Sequence, residues 1–301
     1  MGETLKRTLP LVTIGLPVYN AEATLHRAVR SIVNQTFQDW ILLILDDGSK
    51  DASYEIAQSF RDDRIIAVSD GVNRGISARL NQAVAMTHGK YFCRMDADDI
   101  AFPDRFEKQI AFLESRPEID LVASSMVFFR DDGELYGVVP MPERHEEICR
   151  FPWQGFHFFH PTWMGKMAWF KAHPYRSHAD GVEDQLLLYS AFQESRFAGI
   201  PDILLGYRED RRSFLKVFRR RRLFWQKIAG MALQNGRWLD VFRVSLILPV
   251  KIAADFLNTQ LGADRLRTRM NKVDPVLATE WHELWEKLAK MDAPLSHEYR
   301  A

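Results

Sequence analysis

The sequence predicts an α/β fold, with a mostly parallel central sheet, flanking helices and a C-terminal helical extension. Three observations carry this expectation. Short apolar runs alternate with segments whose apolar residues recur at helical spacing. Acidic clusters close two of those runs, at Asp46-Asp47 and at Asp96-Ala97-Asp98-Asp99. Beyond Arg211 the chain turns helical and basic.

Each element follows from its pattern. Leu11 to Leu16 is a continuous apolar run, as a buried strand requires, and it ends at Pro17-Val18-Tyr19-Asn20. Leu25, Val29, Ile32 and Val33 then recur at helical intervals. Trp40 to Leu45 is a second strand, and Asp51 is placed to cap a helix carrying Ile56, Ala57 and Phe60. Arg64 to Val68 is a third strand. Asn73-Arg74-Gly75 opens a helix with Ile76, Leu80, Ala83, Val84 and Thr87 on one side, and Gly89 ends it. Lys90 to Arg94 is the fourth strand. After Asp99 the pattern becomes mixed. A helix is expected over Pro103 to Arg116 and a strand-rich stretch over Ile119 to Phe129. A hairpin turn is expected at Asp131-Asp132-Gly133, a helix over Val182 to Phe192 and a strand over Ile203 to Tyr207. Strand–helix alternation at this spacing requires right-handed crossovers, and ligands in such sheets sit beyond the carboxyl ends of the strands.

Composition bounds the class. With 301 residues, 47% hydrophobic and 27% charged, the chain can bury the core of one large α/β domain plus an appendage. The expected division is 9–210 for the α/β body and 211–301 for the extension. Cys93 and Cys149 provide neither a disulfide framework nor zinc spacing, which fits a reduced, cytoplasmic setting. Met1 to Arg7 lacks the apolar core of a signal peptide. Net charge is zero, yet Arg211 to Lys272 holds 15 Lys/Arg against three acids, so the remainder of the chain is acidic.

The acidic cluster after the fourth strand carries the chemistry. Asp96, Asp98 and Asp99 offer hard oxygen ligands at a strand's carboxyl end, suited to Mg²⁺ or Mn²⁺ holding a diphosphate. The plainer alternative is an acidic turn before the helix at Pro103 and Asp104.

Seven ordered segments resemble glycosyltransferase family 2 with the GT-A (Rossmann-like) fold. They are Pro17-Val18-Tyr19-Asn20, Ser31-Ile32-Val33-Asn34-Gln35-Thr36, Asp46-Asp47-Gly48-Ser49, Asn73-Arg74-Gly75, Asp96-Ala97-Asp98, His160-Pro161-Thr162 and Glu183-Asp184. The resemblance covers roughly Leu11 to Arg208. It implies a bacterial surface-polysaccharide type of enzyme. Such an enzyme moves one sugar from a nucleotide-diphosphate sugar, with UDP favoured, onto a hydroxyl of a glycan or lipid-linked acceptor, with inversion. Pro17, Tyr19, Asn20, Asn73 and Arg74 would border the nucleotide, and Asp47 would accept from the base. Asp98 would be the main metal ligand, Asp96 would reach the ribose or a metal-bound water, and Asp99 would support them. Asp184 would be the general base, with Glu183 as the competing assignment. His160 reads as lining the acceptor pocket or as a packed structural histidine. Trp153 and Trp163 read as sugar-stacking faces or, as is commoner for aromatics in such a stretch, as core, and Arg208 and Arg211 as meeting the diphosphate or as a solvated basic face. The Gln-x-x-Arg-Trp signature of processive synthases is absent, which favours transfer of a single sugar. Two rival readings are a Mg²⁺-dependent nucleotidyltransferase and a non-catalytic sugar-nucleotide-binding protein. The first would need a basic phosphate loop near the N-terminus, and Pro17-Val18-Tyr19-Asn20 supplies none.

The basic extension reads as an amphipathic helix with Phe214, Phe218, Trp225, Ile228, Met231 and Ala232 on one face, flanked by Arg219 to Arg222. It suits peripheral contact with an anionic membrane at the cytoplasmic face, and the alternative is a cap packed on the catalytic body. Val244 to Lys251 is too short to span a bilayer. No nucleic-acid motif accompanies the charge.

Overall fold

The computed structural model describes residues 10–177, 179, 181–209, 214–261 and 270–292. The 210/211 boundary, Arg211 and the N-terminal Met1 to Arg7 lie outside the described residues.

The first half is built as its pattern predicts. Strands β1 (Val12–Val18), β2 (Trp40–Asp46), β3 (Ile65–Ser69) and β4 (Tyr91–Arg94) alternate with helices α1 (Leu25–Val33), α2 (Ser53–Ser59) and α3 (Ile76–Ala85). All pairings among these strands are parallel, with β1 between β2 and β4 and β3 outside β2. The second half adds β5 (Ile100–Ala101), α4 (Arg105–Ser115), β6 (Leu121–Phe129), β7 (Leu135–Val139), α5 (His145–Ile148), β8 (Met164–Lys166), α6 (Met167–Ala172), α7 (Glu183–Ala191) and β9 (Phe197–Arg208). The sheet runs β3-β2-β1-β4-β8-β6-β9-β5, with β7 on β6. Here the pairing is mixed. β8 is antiparallel to both β4 and β6, β6 is parallel to β9, and β5 and β7 add antiparallel edges. The mostly parallel character expected of the sheet thus lies in the first four strands and in the β6–β9 pair, and the mixed pattern expected after Asp99 appears as the antiparallel β5, β7 and β8.

The period-two alternation of β2 shows how the layers form. Leu42 and Ile44 face a core shared with Val29 and Ile32 of α1 and Phe106 and Ile110 of α4. Leu43 and Leu45 face the opposite core, with Leu80 of α3, Phe170 of α6 and Leu187 of α7. Helices thus cover both faces of the sheet. A Cβ on Gly15 in β1 would meet the Phe92 ring at 2.6 Å, so a side chain there would force that buried ring to move.

The extension comprises α8 (Phe214–Gln234), α9 (Trp238–Leu261) and α10 (Pro275–Asp292). Its apolar residues join the cores of the sheet. Ile228, Met231 and Ala232 of α8 and Val244 of α9 complete the α7 side. Trp281, Leu284 and Leu288 of α10 pack on Ile100, Phe102, Val127 and Phe129. Trp281 Nε1 donates to Gly133 O at 2.8 Å, and Arg27 of α1 stacks over Trp285 at 4.0 Å. The α8 face that the sequence marks for a membrane is therefore spent, at Ile228, Met231 and Ala232, inside the protein.

Candidate active site

The carboxyl ends of β1, β2 and β4 open on one edge, and the loops leaving them are stitched together. After β1, Asn20 takes a left-handed backbone (φ 50°) and its side-chain oxygen accepts from Lys50 N at 2.8 Å. Asn20 N donates to Ser49 Oγ at 3.0 Å. Pro17 is half-buried and Tyr19 is exposed above this loop. Asp46 and Asp47, at the end of β2, are both buried. Asp46 accepts from Gly48 N and Ser49 N at 3.2 Å and from Ser69 Oγ at 2.6 Å.

Asp47 is occupied from within the protein. Its oxygens accept from Arg74 N at 2.8 Å, Gly75 N at 3.0 Å and Arg79 Nε at 2.9 Å. Gly75 sits at φ 86° at the entrance to α3, a conformation other residues rarely adopt. The expected acceptor of a base N–H is thus the anchor of the Asn73-Arg74-Gly75 turn. Asn73 and Arg74 are exposed on that turn, with Arg74 Nε on Asp70 at 2.8 Å. Arg79 is buried beneath it and also holds Asp70 at 2.6 Å.

The acidic cluster follows β4. Carboxylate oxygens of Asp96, Asp98 and Asp99 all lie within 4.8 Å of one another. Arg94, buried at the end of the strand, donates to both oxygens of Asp96, at 2.8 and 2.5 Å. Asp99 is fully buried. Its Oδ1 accepts from Arg208 N at 3.1 Å, while its Oδ2 has no partner among the described residues. Burial first, then the neighbouring Asp96 charge, pushes Asp98 up to about 6, with Arg208 acting in the opposite sense. Burial and the Asp98 and Asp96 charges raise Asp99 well above the usual carboxylate range. The Arg208 side chain itself pairs with Asp131 at 2.7 Å, beyond the cluster.

Three crowded carboxylates, one with an orphaned buried oxygen, fit a divalent cation. Hard oxygen donors suit Mg²⁺ or Mn²⁺, and an added positive charge relieves both the repulsion and the desolvation that raise these groups.

Residues far along the chain complete the site. Arg105 of α4 is fully buried and donates to Arg94 O and Pro161 O, both at 2.9 Å. It thereby ties the β4 end to the turn His160–Thr162. His160 is buried, with Nε2 at 2.9 Å from the Tyr175 hydroxyl and Nδ1 at 3.6 Å from Glu183 Oε1. Burial, then the Arg94 charge, pushes His160 down to about 3, so the imidazole is neutral at physiological pH. Glu183 and Asp184 open α7, where the helix dipole favours negative charge. Glu183 is buried and accepts from Gly181 N at 2.5 Å. Asp184 is half-buried and accepts from Gln185 Nε2 at 2.9 Å. Burial, with the Glu183, Asp184 and Asp96 charges acting in the same sense and Arg94 opposing, holds the Tyr175 hydroxyl well above its ordinary value. Two acidic motifs separated by more than eighty residues of sequence are therefore linked, Asp96 through Arg94 and Arg105 to the His160 turn, and Glu183 to the same turn through His160.

Of the two readings of Trp163, a sugar-stacking face or a core aromatic, the structure gives the second, with the side chain 0% exposed. Its ring lies against His160 at 4.5 Å and Phe158 at 5.7 Å, so it is a core side chain with no free face. His160 lies beneath the acidic pair as a buried partner of Tyr175.

Sequence reasoning missed Arg79, Arg94, Arg105 and Tyr175. Arg94 had a signal. A charge at the end of an otherwise apolar run, two positions before Asp96, puts both side chains on one face of an extended chain. Tyr175, in an irregular loop, had none.

Residues 13–173 match the family model of Glycosyl transferase family 2. The protein named as a glycosyltransferase EpsE of Bacillus subtilis (strain 168) is 32% identical over 213 residues, covering 68% of this chain and 75% of that protein. An uncharacterized glycosyltransferase, MJ1057, of Methanocaldococcus jannaschii is 31% identical over 222 residues, covering 71% and 77%. The WfaP protein of Escherichia coli, named as a UDP-Glc:alpha-D-GlcNAc-diphosphoundecaprenol beta-1,3-glucosyltransferase, is 28% identical over 134 residues, covering 44% of this chain and 53% of that protein. Among solved structures, S. aureus TarS 1-349 with UDP-GlcNAc superposes with a TM-score of 0.58 at 18% identity, covering 93% of this chain and 80% of that one. The mannosyltransferase PcManGT of Pyrobaculum calidifontis, with GDP-Man and Mn2+, gives 0.61 at 14% identity, covering 95% and 89%. These two likenesses concern the fold, which is GT-A. The family match, spanning more than half of the sequence, and the relatives above 30% identity identify the function class: the chain is a glycosyltransferase and belongs to glycosyltransferase family 2.

Proposed function

We propose that the chain moves one sugar from a nucleotide-diphosphate sugar, a UDP-sugar, to a hydroxyl of a glycan or lipid-linked acceptor, inverting the anomeric centre. The observation that carries this reading is that the cluster of Asp96, Asp98 and Asp99 at the β4 end is tied through Arg105 to the His160 turn, where Glu183, next to Asp184, lies 3.6 Å from His160. Asp98 and Asp99, with Asp96, would hold Mn²⁺ or Mg²⁺. A cation bound there supplies charge neutralisation for the departing diphosphate.

The chain's own residues do the rest. Arg94 holds Asp96 in place through two hydrogen bonds. The loops bearing Pro17, Tyr19, Asn20, Asn73 and Arg74 form the wall for the nucleotide, and Asp47 fixes that wall from beneath. Asp184 is the base. Its partly open carboxylate accepts the proton of the acceptor hydroxyl as that oxygen attacks. Glu183, buried and bonded to Gly181 N, positions the turn that presents Asp184. Neutral His160 holds Tyr175 without adding a positive charge that would compete for the base. Relatives and neighbours whose names include UDP-Glc or UDP-GlcNAc, and WfaP with its diphosphoundecaprenol acceptor, support the donor and acceptor classes. A place in bacterial surface-polysaccharide synthesis, at the cytoplasmic face of the membrane, follows from that reading.

The test is release of nucleoside diphosphate from UDP-, GDP- and dTDP-sugars in Mn²⁺, with and without a polyprenyl-diphosphate-linked sugar acceptor. Turnover confined to UDP-sugars and stimulated by the acceptor is expected. Release from GDP-sugars alone overturns the donor assignment. Release of inorganic pyrophosphate from a nucleoside triphosphate and a sugar phosphate turns the reading into a nucleotidyltransferase.

A further inference from the structure

Helix α9 turns an apolar face to solvent. Trp238, Leu239, Phe242, Leu246 and Val250 are 62–68% exposed, and Leu257 continues the row at 52%. At about 100° of turn per residue, these positions fall within roughly 120° of the helix circumference. The opposite side is engaged with the protein. Asp240 and Val244 are buried, Asp255 pairs with Arg221 of α8, and Lys251 donates to Gln154 O at 3.2 Å. From Trp238 to Leu257 the row extends roughly 28 Å at 1.5 Å per residue. Contiguous apolar surface of this length marks an interaction site.

The charge around the row selects the occupant. Arg243 borders it, with its side chain 48% exposed, and stacks over Trp153 at 4.6 Å. Arg219 and Arg222 are exposed on the adjacent α8. Arg211 to Lys272 as a whole holds 15 basic residues against three acids. An apolar stripe on a basic helix pair complements an anionic interface with an apolar interior. No described helix is long and apolar enough to cross a membrane, so α9 would lie in the plane of the surface.

We propose that the exposed face of α9 is an in-plane seat on an anionic lipid bilayer, with Arg219, Arg222 and Arg243 attracting the headgroup phosphates. Trp238 to Val250 enter the boundary between headgroups and acyl chains. The seat is mechanically linked to the acidic pair. Arg221 joins α8 to α9, and Arg220 Nε donates to Gly181 O at 2.9 Å, two residues before Glu183. A lipid-linked acceptor held in the same bilayer would thus be presented on the Asp184 side. This last step rests on the transferase reading, whereas the binding itself does not.

The experiment is co-sedimentation of the full-length chain with phosphatidylcholine vesicles, with or without phosphatidylglycerol. Nucleoside diphosphate release is measured in parallel. Binding to the anionic vesicles, poor binding to the neutral ones and release at 1 M salt, where the Debye length is about 3 Å, are expected. Phe242→Ser with Leu246→Ser should weaken partitioning at least about tenfold. Arg219→Gln with Arg222→Gln and Arg243→Gln should remove its salt dependence. Both sets change exposed side chains, so circular dichroism and donor hydrolysis should stay at the level of the unmodified chain. Equal recovery in the supernatant with and without anionic vesicles overturns the proposal. So does partitioning unaffected by Phe242→Ser with Leu246→Ser. A dimer in lipid-free buffer that the same pair converts to monomer overturns it in favour of a second copy of this chain. Vesicle binding without donor hydrolysis would leave the seat standing and sink the transferase reading instead.

Discussion

Lowering the pH from 7 to 5 will weaken Mn²⁺ binding at the end of β4 by about tenfold or more. Asp98, raised to about 6 by burial and by the Asp96 charge, is roughly nine-tenths ionised at pH 7 and one-tenth ionised at pH 5. Only the ionised carboxylate ligates, so Asp98 alone accounts for about a factor of ten. Asp99, raised further by complete burial, adds to the loss in the same direction. The sign for stability follows from the same shift. A carboxyl group that is easier to protonate folded than unfolded stabilises the fold below about 3.8, and that contribution is lost as the pH rises through about 6. At neutral pH the charged group therefore costs up to roughly 3 kcal/mol, which a bound cation offsets. Asp98→Asn removes the charge. It should raise the melting temperature of the metal-free protein at pH 7 and abolish most of the Mn²⁺-induced rise. Isothermal titration calorimetry at the two pH values and thermal-shift measurements with and without Mn²⁺ check both parts. Equal affinities at pH 7 and 5, or an undiminished Mn²⁺ response in Asp98→Asn, would refute the assignment of Asp98 as a ligand.

Two further outcomes separate chemistry from architecture. Asp184→Asn should lower kcat by about 10²–10⁴-fold with near-normal donor affinity. If Glu183→Gln is the crippling change and Asp184→Asn is mild in steady-state kinetics, the base and its positioning residue exchange roles. Arg79→Met leaves the buried Asp47 carboxylate without its charged partner. It should cost about 3–5 kcal/mol in urea unfolding, and a loss below about 1 kcal/mol would mean that the Asn73-Arg74-Gly75 turn is held by its backbone bonds alone.

Much of this architecture was legible from residue pattern. β1, β2 and β4 are buried on both faces, so they read as continuous apolar runs, and the acidic residues beyond them mark the strand ends where a ligand can sit. The family segments Pro17-Val18-Tyr19-Asn20, Asp46-Asp47-Gly48-Ser49 and Asp96-Ala97-Asp98 point to the same edge. Other elements left weaker traces. β8 has three residues inside an aromatic-rich stretch, too few for a period to register. β9 begins at Phe197, six residues before the expected Ile203, because exposed Pro201 and Asp202 interrupt its apolar pattern where the pairing with β6 shifts register.

The sequence by itself determined the residue types that the chemistry needs, namely three carboxylates after β4, an acidic pair opening α7, and a basic, apolar-striped C-terminal segment. Tertiary structure decided what each of them faces. Local spacing cannot say that Glu183 lies 3.6 Å from His160, in a turn that Arg105 ties to the β4 end beside Asp96, because those residues are far apart in the chain. Nor can it say that the oxygens of Asp47 are taken by a turn and a buried arginine, or that Trp163 has its faces covered. The extension makes the same point most simply. α8 and α9 each carry an apolar stripe, and helical periodicity reveals that a stripe exists without revealing its neighbour. Packing against α7 buries Ile228, Met231 and Ala232 of α8, and it leaves Trp238, Phe242 and Leu246 of α9 turned outward, because a helix lying against one side of the protein has only that side covered.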